Sequence, residues 1–199
     1  MRRAVDVVVS AAALVVALPL MALVAAAIRL TSRGPALFTQ VRSGLGGREF
    51  TIYKFRTMRA PRFEGEPDSA RITAVGKALR ATSLDELPQL YNVLVGDMSM
   101  IGPRPTLPEQ VACYSDHQRR RLEVRPGLTG WAQVNGRNSI SWPERIELDI
   151  DYVDKRCLAM DARIVSLTFR QLLRPDGITH HSGENPGFPI PAQDSHPEP

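Results

Sequence analysis

Two adjacent carboxylates, Asp85 and Glu86, are the residues whose type and spacing point most directly to chemistry. They lie in the stretch Arg80-Ala-Thr-Ser-Leu-Asp-Glu-Leu-Pro-Gln-Leu-Tyr-Asn-Val-Leu-Val-Gly96. Ser83 and Glu86 make a Ser-x-x-Glu pattern ahead of an apolar run, which predicts a helix N-terminus. Unpaired backbone N–H groups and the positive end of the helix dipole favour acids there. Consecutive helical side chains point about 100° apart. The two acids therefore cannot serve one point in the same way: one can face a substrate while the other holds a metal. A purely structural reading competes, in which Glu86 completes a capping box and Asp85 answers the dipole. Pro88 marks the start or a bend of the helix, Leu90, Val93 and Leu94 its apolar face, and Gly96 a left-handed stop.

Cations recur around this stretch. Phe50, Ile52, Lys54 and Arg56 share one face of a strand by period two, so Lys54 and Arg56 could cradle phosphate or form a solvated edge. Arg80 precedes the acids. Arg104 sits between Pro103 and Pro105, which restrict the backbone and pre-set its position for gripping an anion. Arg125 and Arg137 bracket a glycine-punctuated loop, where glycine permits close backbone approach to a ligand. Its spacing fits neither a Walker loop nor a Rossmann fingerprint. Arg119, Arg120 and Arg121 read as a solvated face or a contact for anionic lipid.

The elements that must carry these residues follow from periodicity. Ala4 to Ile28 is almost wholly apolar, interrupted only by Asp6 and Ser10, and is long enough for a membrane span. Pro19 bends such a helix, and arginines flank both ends: Arg2 and Arg3 before, Arg29 and Arg33 after. That symmetry gives no orientation by the positive-inside rule. A simple span and a re-entrant helix stay open on these residues; a cleaved signal peptide would have a shorter apolar core. Two β-rich runs around a Gly-rich turn predict a hairpin between Gly34 and Met58. Ala60 to Ser69 is a polar loop. Ile72, Val75, Ala78 and Leu79 recur at helical spacing with basic neighbours, which suits a core-facing or an interfacial helix. Leu107 to Val124 reads as a polar helical stretch. Pro143 to Leu172 reads as one or two helices carrying Asp149, Asp151, Asp154 and Asp161, and the chain from Arg174 as a partly disordered tail.

Composition sets the frame. At 199 residues with net charge +4, the chain holds one main domain. Arg far outnumbers Lys, which suits phosphate oxygens or an anionic surface. Sparse aromatics offer no stacking platform, and no reader motif is present, so nucleic acid is not expected as a partner. Cys113 and Cys157 fit no metal or redox spacing and are expected to be buried thiols in a reducing compartment.

Taken in order, the apolar anchor, Lys54-Phe-Arg-Thr-Met58, Ser83-Leu-Asp-Glu-Leu-Pro-Gln89, Met98-Ser-x-x-Gly-Pro-Arg-Pro105 and Arg125-Pro-Gly-x-Thr-Gly130 resemble the bacterial sugar transferase family, the monotopic polyprenol-phosphate phosphoglycosyl transferases. The resemblance runs from about Arg3 to about Thr168. It implies an α+β, mainly helical fold: a re-entrant membrane anchor over 1–33 kinked at Pro19, interfacial amphipathic helices, a small β-hairpin and a compact catalytic domain over 34–173, with a tail over 174–199. It implies transfer of a phospho-sugar from a UDP-sugar to a polyprenol (undecaprenyl) phosphate with release of UMP, at the cytoplasmic face of the bacterial inner membrane, to start assembly of a membrane-associated glycan. In this resemblance Asp85 is the nucleophile and Glu86 the Mg²⁺ ligand. Lys54, Arg56, Arg80, Arg104, Arg125, Arg137 and Asp149 become substrate-binding positions. A homo-oligomer is left open, as is a catalytically silent, membrane-tethered scaffold of the same fold. Leu18-Pro19 departs from the Ser-Pro of many small members, and Asp176-Gly-Ile178 with Gly183 to Phe188 leans towards an acetamido sugar.

Overall fold

The computed structural model describes residues 2–136 and 140–173, so Arg137 and the tail, including its histidines, lie outside the described residues. The chain is mostly helical with two small sheets. Helix α1 (Arg2–Thr31) contains Pro19 and is the one described helix long and apolar enough to cross a membrane. It leads into β1 (Leu37–Ser43) and β2 (Glu49–Phe55), which pair antiparallel from Leu37↔Phe55 to Ser43↔Glu49. This is the expected hairpin. Phe38, Gln40 and Arg42 stand opposite Lys54, Ile52 and Phe50, so all six share one face.

Two helices follow: α2 (Asp68–Arg71) and α3 (Ala74–Thr82). Thr73 caps α3 by accepting from Gly76 N–H at 2.9 Å. The apolar stripe of α3 faces the core, where Leu79 and Val75 pack with Val24 and Ile28 of α1 and with Phe55. Helix α4 (Gln89–Val95) stops at Gly96, whose φ of 100° is the left-handed conformation expected there. It packs through Val93 on Ile52 and Met98. Buried Asn92 also sews it to β2: its amide accepts from Tyr53 N–H at 3.2 Å and donates to Thr51 C=O at 2.7 Å.

The stretch read as one polar helical run over Leu107 to Val124 is divided into α5 (Pro108–Ala112), α6 (Asp116–Arg119) and a 3₁₀ turn over Arg120–Leu122. Ser115 is the reason for the break, because it opens a fresh capping box with Gln118. Between α4 and α5 runs β3 (Ser99–Ile101), which pairs in parallel with β4 (Gly127–Thr129). The glycines of the Arg125 loop therefore answer a different demand from the one expected. A side chain at Gly127 or Gly130 would strike the backbone of Gly102, so their smallness serves chain-to-chain contact. Helices α7 (Trp131–Val134), α8 (Trp142–Lys155) and α9 (Leu158–Leu173) complete the fold. Cys113 and Cys157 are both exposed, contrary to expectation. Cys157 sits at the start of α9, where its carbonyl accepts from Asp161 N–H at 3.0 Å.

Both ends of α1 are fastened to this one body. At the start, Arg2 pairs with Asp161 at 3.0 Å, and Arg3 donates to the terminal carbonyls of α4 at Val93 and Leu94. Asp6 accepts from Ser99 Oγ at 2.9 Å and from Met100 N–H at 3.0 Å. At the far end Val24 and Ile28 are core residues, and Arg56 donates to Ser32. The stretch between them, including Val15, Val16, Leu18 and Leu23, is exposed.

Candidate active site

The acid pair does not sit in the first turn of α4. Ser83 ends α3 in a left-handed conformation, φ 57°, and makes no side-chain cap. Asp85 and Glu86 lie in a separate 3₁₀ turn, Leu84–Glu86, and Pro88 stands at the head of α4. The predicted capping box fails because cations on other elements claim the Glu86 carboxylate. Its Oε1 accepts from Lys54 Nζ at 2.9 Å and from Arg104 Nη2 at 2.7 Å. Leu84 and Leu87, on either side of the acids, pack against the core formed by α1, Phe55 and Leu79. That packing turns the two acids away from the core and towards the hairpin and the Pro103-Arg104-Pro105 segment.

The two acids are treated differently by their surroundings. Burial, the largest influence on Glu86, works against its charge, yet Arg104 and Lys54 outweigh it and hold the carboxyl well below the usual range. Burial, followed by the neighbouring Glu86, pushes the Asp85 carboxyl above the ordinary aspartate value, while Lys54, Arg104 and Arg80 oppose the rise. Its carboxylate accepts no hydrogen bond among the described residues. Lys54 is lowered by burial and by Arg104, with Glu86 and Asp85 offsetting part of the loss. Arg80 is steered by Thr57, whose hydroxyl accepts its Nε–H at 2.9 Å.

Of the expected site residues, the structure brings Lys54, Arg80, Arg104, Asp85 and Glu86 together. It does not bring Arg56 there: this guanidinium donates to the carbonyls of Ser32 and Arg33 just past the end of α1, because it follows β2 and lies beside them. Arg125 is likewise elsewhere, donating to Gly96 C=O at 2.9 Å at the end of α4. Asp149, only 1% exposed, stands behind the site, paired with the buried Arg121. Burial pushes its carboxyl up, against the pull of Arg121 and Arg145.

Three further groups escaped the sequence reading. Arg42 shares the hairpin face of Lys54; burial and then Arg104 push its guanidinium down to about 10. Arg145 lies over the Trp142 ring at 4.7 Å and feels the charges of Arg104 and Asp149. Arg121, expected on a solvated or lipid-facing run, is 2% exposed. Period two along β1 could have flagged Arg42; nothing local distinguishes Arg121 from Arg119 and Arg120.

No group of three or more His, Cys, Asp or Glu side chains among the described residues forms a metal cluster. A magnesium ion does not require one, since it typically takes one or two carboxylates and completes its shell with substrate phosphates and water. Glu86 Oε2, which accepts no hydrogen bond among the described residues, and the adjacent Asp85 are hard oxygen donors that fit such an ion.

A clamped acid thus stands beside an unbonded one on a short turn, with Lys54 and Arg104, cations of the kind that match phosphate, reaching it from other elements. The family comparison is specific: residues 1–175 match the model of the bacterial sugar transferase family, and the chain belongs to that family. It is 50% identical over 161 residues to the uncharacterized sugar transferase EpsL of Bacillus subtilis (strain 168), covering 78% of this chain and 80% of that protein. It is 48% identical over 192 residues to the UDP-glucose:undecaprenyl-phosphate glucose-1-phosphate transferase of Caulobacter vibrioides, covering 88% of this chain and 70% of the relative. A transferase of the same name from Xanthomonas campestris pv. campestris is 44% identical over 170 residues, but this chain spans only 35% of its length.

Proposed function

We propose that the chain transfers a phospho-sugar from a UDP-sugar to undecaprenyl phosphate or a similar polyprenol phosphate, releasing UMP. The observation that carries this reading is the division between the acids: Glu86 is held by Lys54 and Arg104, while Asp85 beside it has no hydrogen-bond partner among the described residues. An Asp85 oxygen attacks the phosphorus that bears the sugar. The new bond makes an aspartyl phospho-sugar, and the bond to the bridging oxygen breaks with its electron pair leaving on UMP. A phosphate oxygen of the lipid then attacks the same phosphorus, and Asp85 departs as carboxylate. Lys54, Arg80 and Arg104 lower the anion–anion repulsion of the first attack and stabilise charge on the leaving phosphate. Glu86 is the residue that would hold Mg²⁺, which supplies further neutralisation of the donor pyrophosphate. Asp85→Asn should reduce turnover by at least about 10³-fold and abolish capture of labelled phospho-sugar on the protein; retained labelling would remove Asp85 as the nucleophile.

The same reading seats the enzyme on the cytoplasmic membrane face. A straight helix of this length is about 45 Å long, yet both ends of α1 are tied to one body by Arg2, Arg3 and Asp6 at one end and Ile28 and Ser32 at the other. A re-entrant path through Pro19 keeps both ends on one side and dips the exposed apolar middle into lipid. The exposed stripe Leu158, Val165, Phe169 and Leu172 on α9 supports an interfacial helix. Holding the enzyme there concentrates it with its lipid acceptor.

A further inference from the structure

The side of Arg104 away from the acids is occupied by a polar assembly that the reaction scheme leaves unused. Arg121 is 2% exposed and Asp149 is 1% exposed, in a region otherwise filled by Tyr114, Ile146 and Ile150. Arg121 makes three bonds in three directions. One nitrogen donates to Tyr114 Oη at 2.6 Å. The other donates to the Asp149 carboxylate and to the backbone carbonyl of Arg104 at 3.1 Å. Asp149 belongs to α8, so the three bonds connect α8, the end of α5 and the proline-flanked segment that carries Arg104.

A buried ion pair is weak grounds for stability, because desolvation of both charges offsets their attraction. A hydrophobic pair of similar volume would fill the same space. What such a pair could not do is bind the Arg104 carbonyl. Pro103 and Pro105 already restrict the backbone on either side of Arg104. A donor on the carbonyl between them fixes the remaining rotation of that peptide plane, and with it the direction in which the side chain leaves the chain. On the other side that side chain meets Glu86 Oε1 at 2.7 Å.

We propose that Arg121, held by Asp149 and Tyr114, is a positioning residue that aims Arg104 at the acid pair through the Arg104 carbonyl. This rests on the transferase reading given above. It gives Asp149 a task in the reaction without contact to substrate: Asp149 orients Arg121, Arg121 holds the Arg104 peptide, and Arg104 holds Glu86 beside Asp85.

Two measurements on the full-length, membrane-incorporated protein test this. The first replaces the pair with apolar residues, Arg121→Met with Asp149→Leu, and follows both the melting temperature and phospho-sugar transfer. The melting temperature should stay close to that of the wild type, while kcat/KM falls about 10- to 100-fold, the cost of a small misplacement of a reacting group. A stable double variant with wild-type activity would overturn the proposal. The second measurement decides the matter even if that variant does not fold. Asp149→Asn is made in the wild-type background and in an Arg104→Ala background, with rates normalised to the protein that still captures labelled phospho-sugar. The loss should be about 10-fold in the first and less than about 2-fold in the second, because the relay has nothing left to aim. Equal losses in both backgrounds mean that Asp149 acts through general stability, and the relay falls. Failure of the transferase reading itself looks different: the wild-type protein would then transfer no phospho-sugar.

Discussion

Asp85 and Glu86 differ by one position in the chain and by a large step in electrostatic surroundings. Glu86 is fixed in its ionised form by two cations; Asp85 is raised by burial and by Glu86, and restrained by Lys54, Arg104 and Arg80. In the proposed reaction the nucleophile is the ionised form of Asp85, so activity should fall as pH drops through its pKa. Lys54 lowers that pKa, so its removal raises it. At a fixed metal concentration, Lys54→Met should therefore move the acidic limb of the kcat/KM profile to higher pH than in the wild type. It should also reduce the plateau about 10²-fold, as loss of one charge-stabilising donor does. A limb at the wild-type position would mean that Lys54 does not act on the nucleophile.

Among the elements, the contact between α3 and the chain leaving β2 matters most for the site. Thr57 receives three groups from α3 and its N-cap: Thr73 N–H and the Thr73 hydroxyl reach its carbonyl at 3.0 and 3.4 Å, and Arg80 Nε–H its hydroxyl at 2.9 Å. Gly76 lets the helix come this close, since a β-carbon there would overlap the Thr57 backbone. Backbone cannot rotate aside as a side chain can. Gly76→Ala gains about 1 kcal/mol of helix propensity, and the overlap should exceed it, leaving a net loss of about 2 kcal/mol. The melting temperature should drop by roughly 5 °C, and turnover should fall with it because Arg80 moves with Thr57. An unchanged melting temperature would show that the helix tolerates the added methyl group.

For the whole molecule, the question is which side of a membrane each end of α1 occupies. The ties at Arg2, Arg3 and Asp6 tether the N-terminus to the body that carries the exposed Cys113 and Cys157. In inside-out vesicles an impermeant thiol reagent should label Cys113, Cys157 and a cysteine introduced at Met1 alike. In right-side-out vesicles all three should be protected. Labelling of the Met1 position from the opposite side would establish a simple span. Arg3→Ala should leave two of the α4 end carbonyls without their guanidinium and weaken the tether at that end.

The sequence by itself determined what depends on neighbours along the chain. The apolar length of α1, the Gly-turn hairpin, the left-handed stop at Gly96 and the proline-flanked Arg104 are local in origin, because hydrophobic period, φ preference and ring closure act within a few residues. The ordered motifs around Asp85 and Glu86 added the family. Tertiary structure decided where these local pieces meet. Ser83-x-x-Glu86 has the form of a capping box, but Lys54 from β2 and Arg104 from beyond α4 claimed the glutamate. Arg56 and Arg125 have the same chemistry as Arg104 and went to helix ends. Arg121 is one of three consecutive arginines and alone became buried, because a 3₁₀ turn pointed it at Asp149. Charge selects its partner by distance and burial, and those are properties of the folded chain.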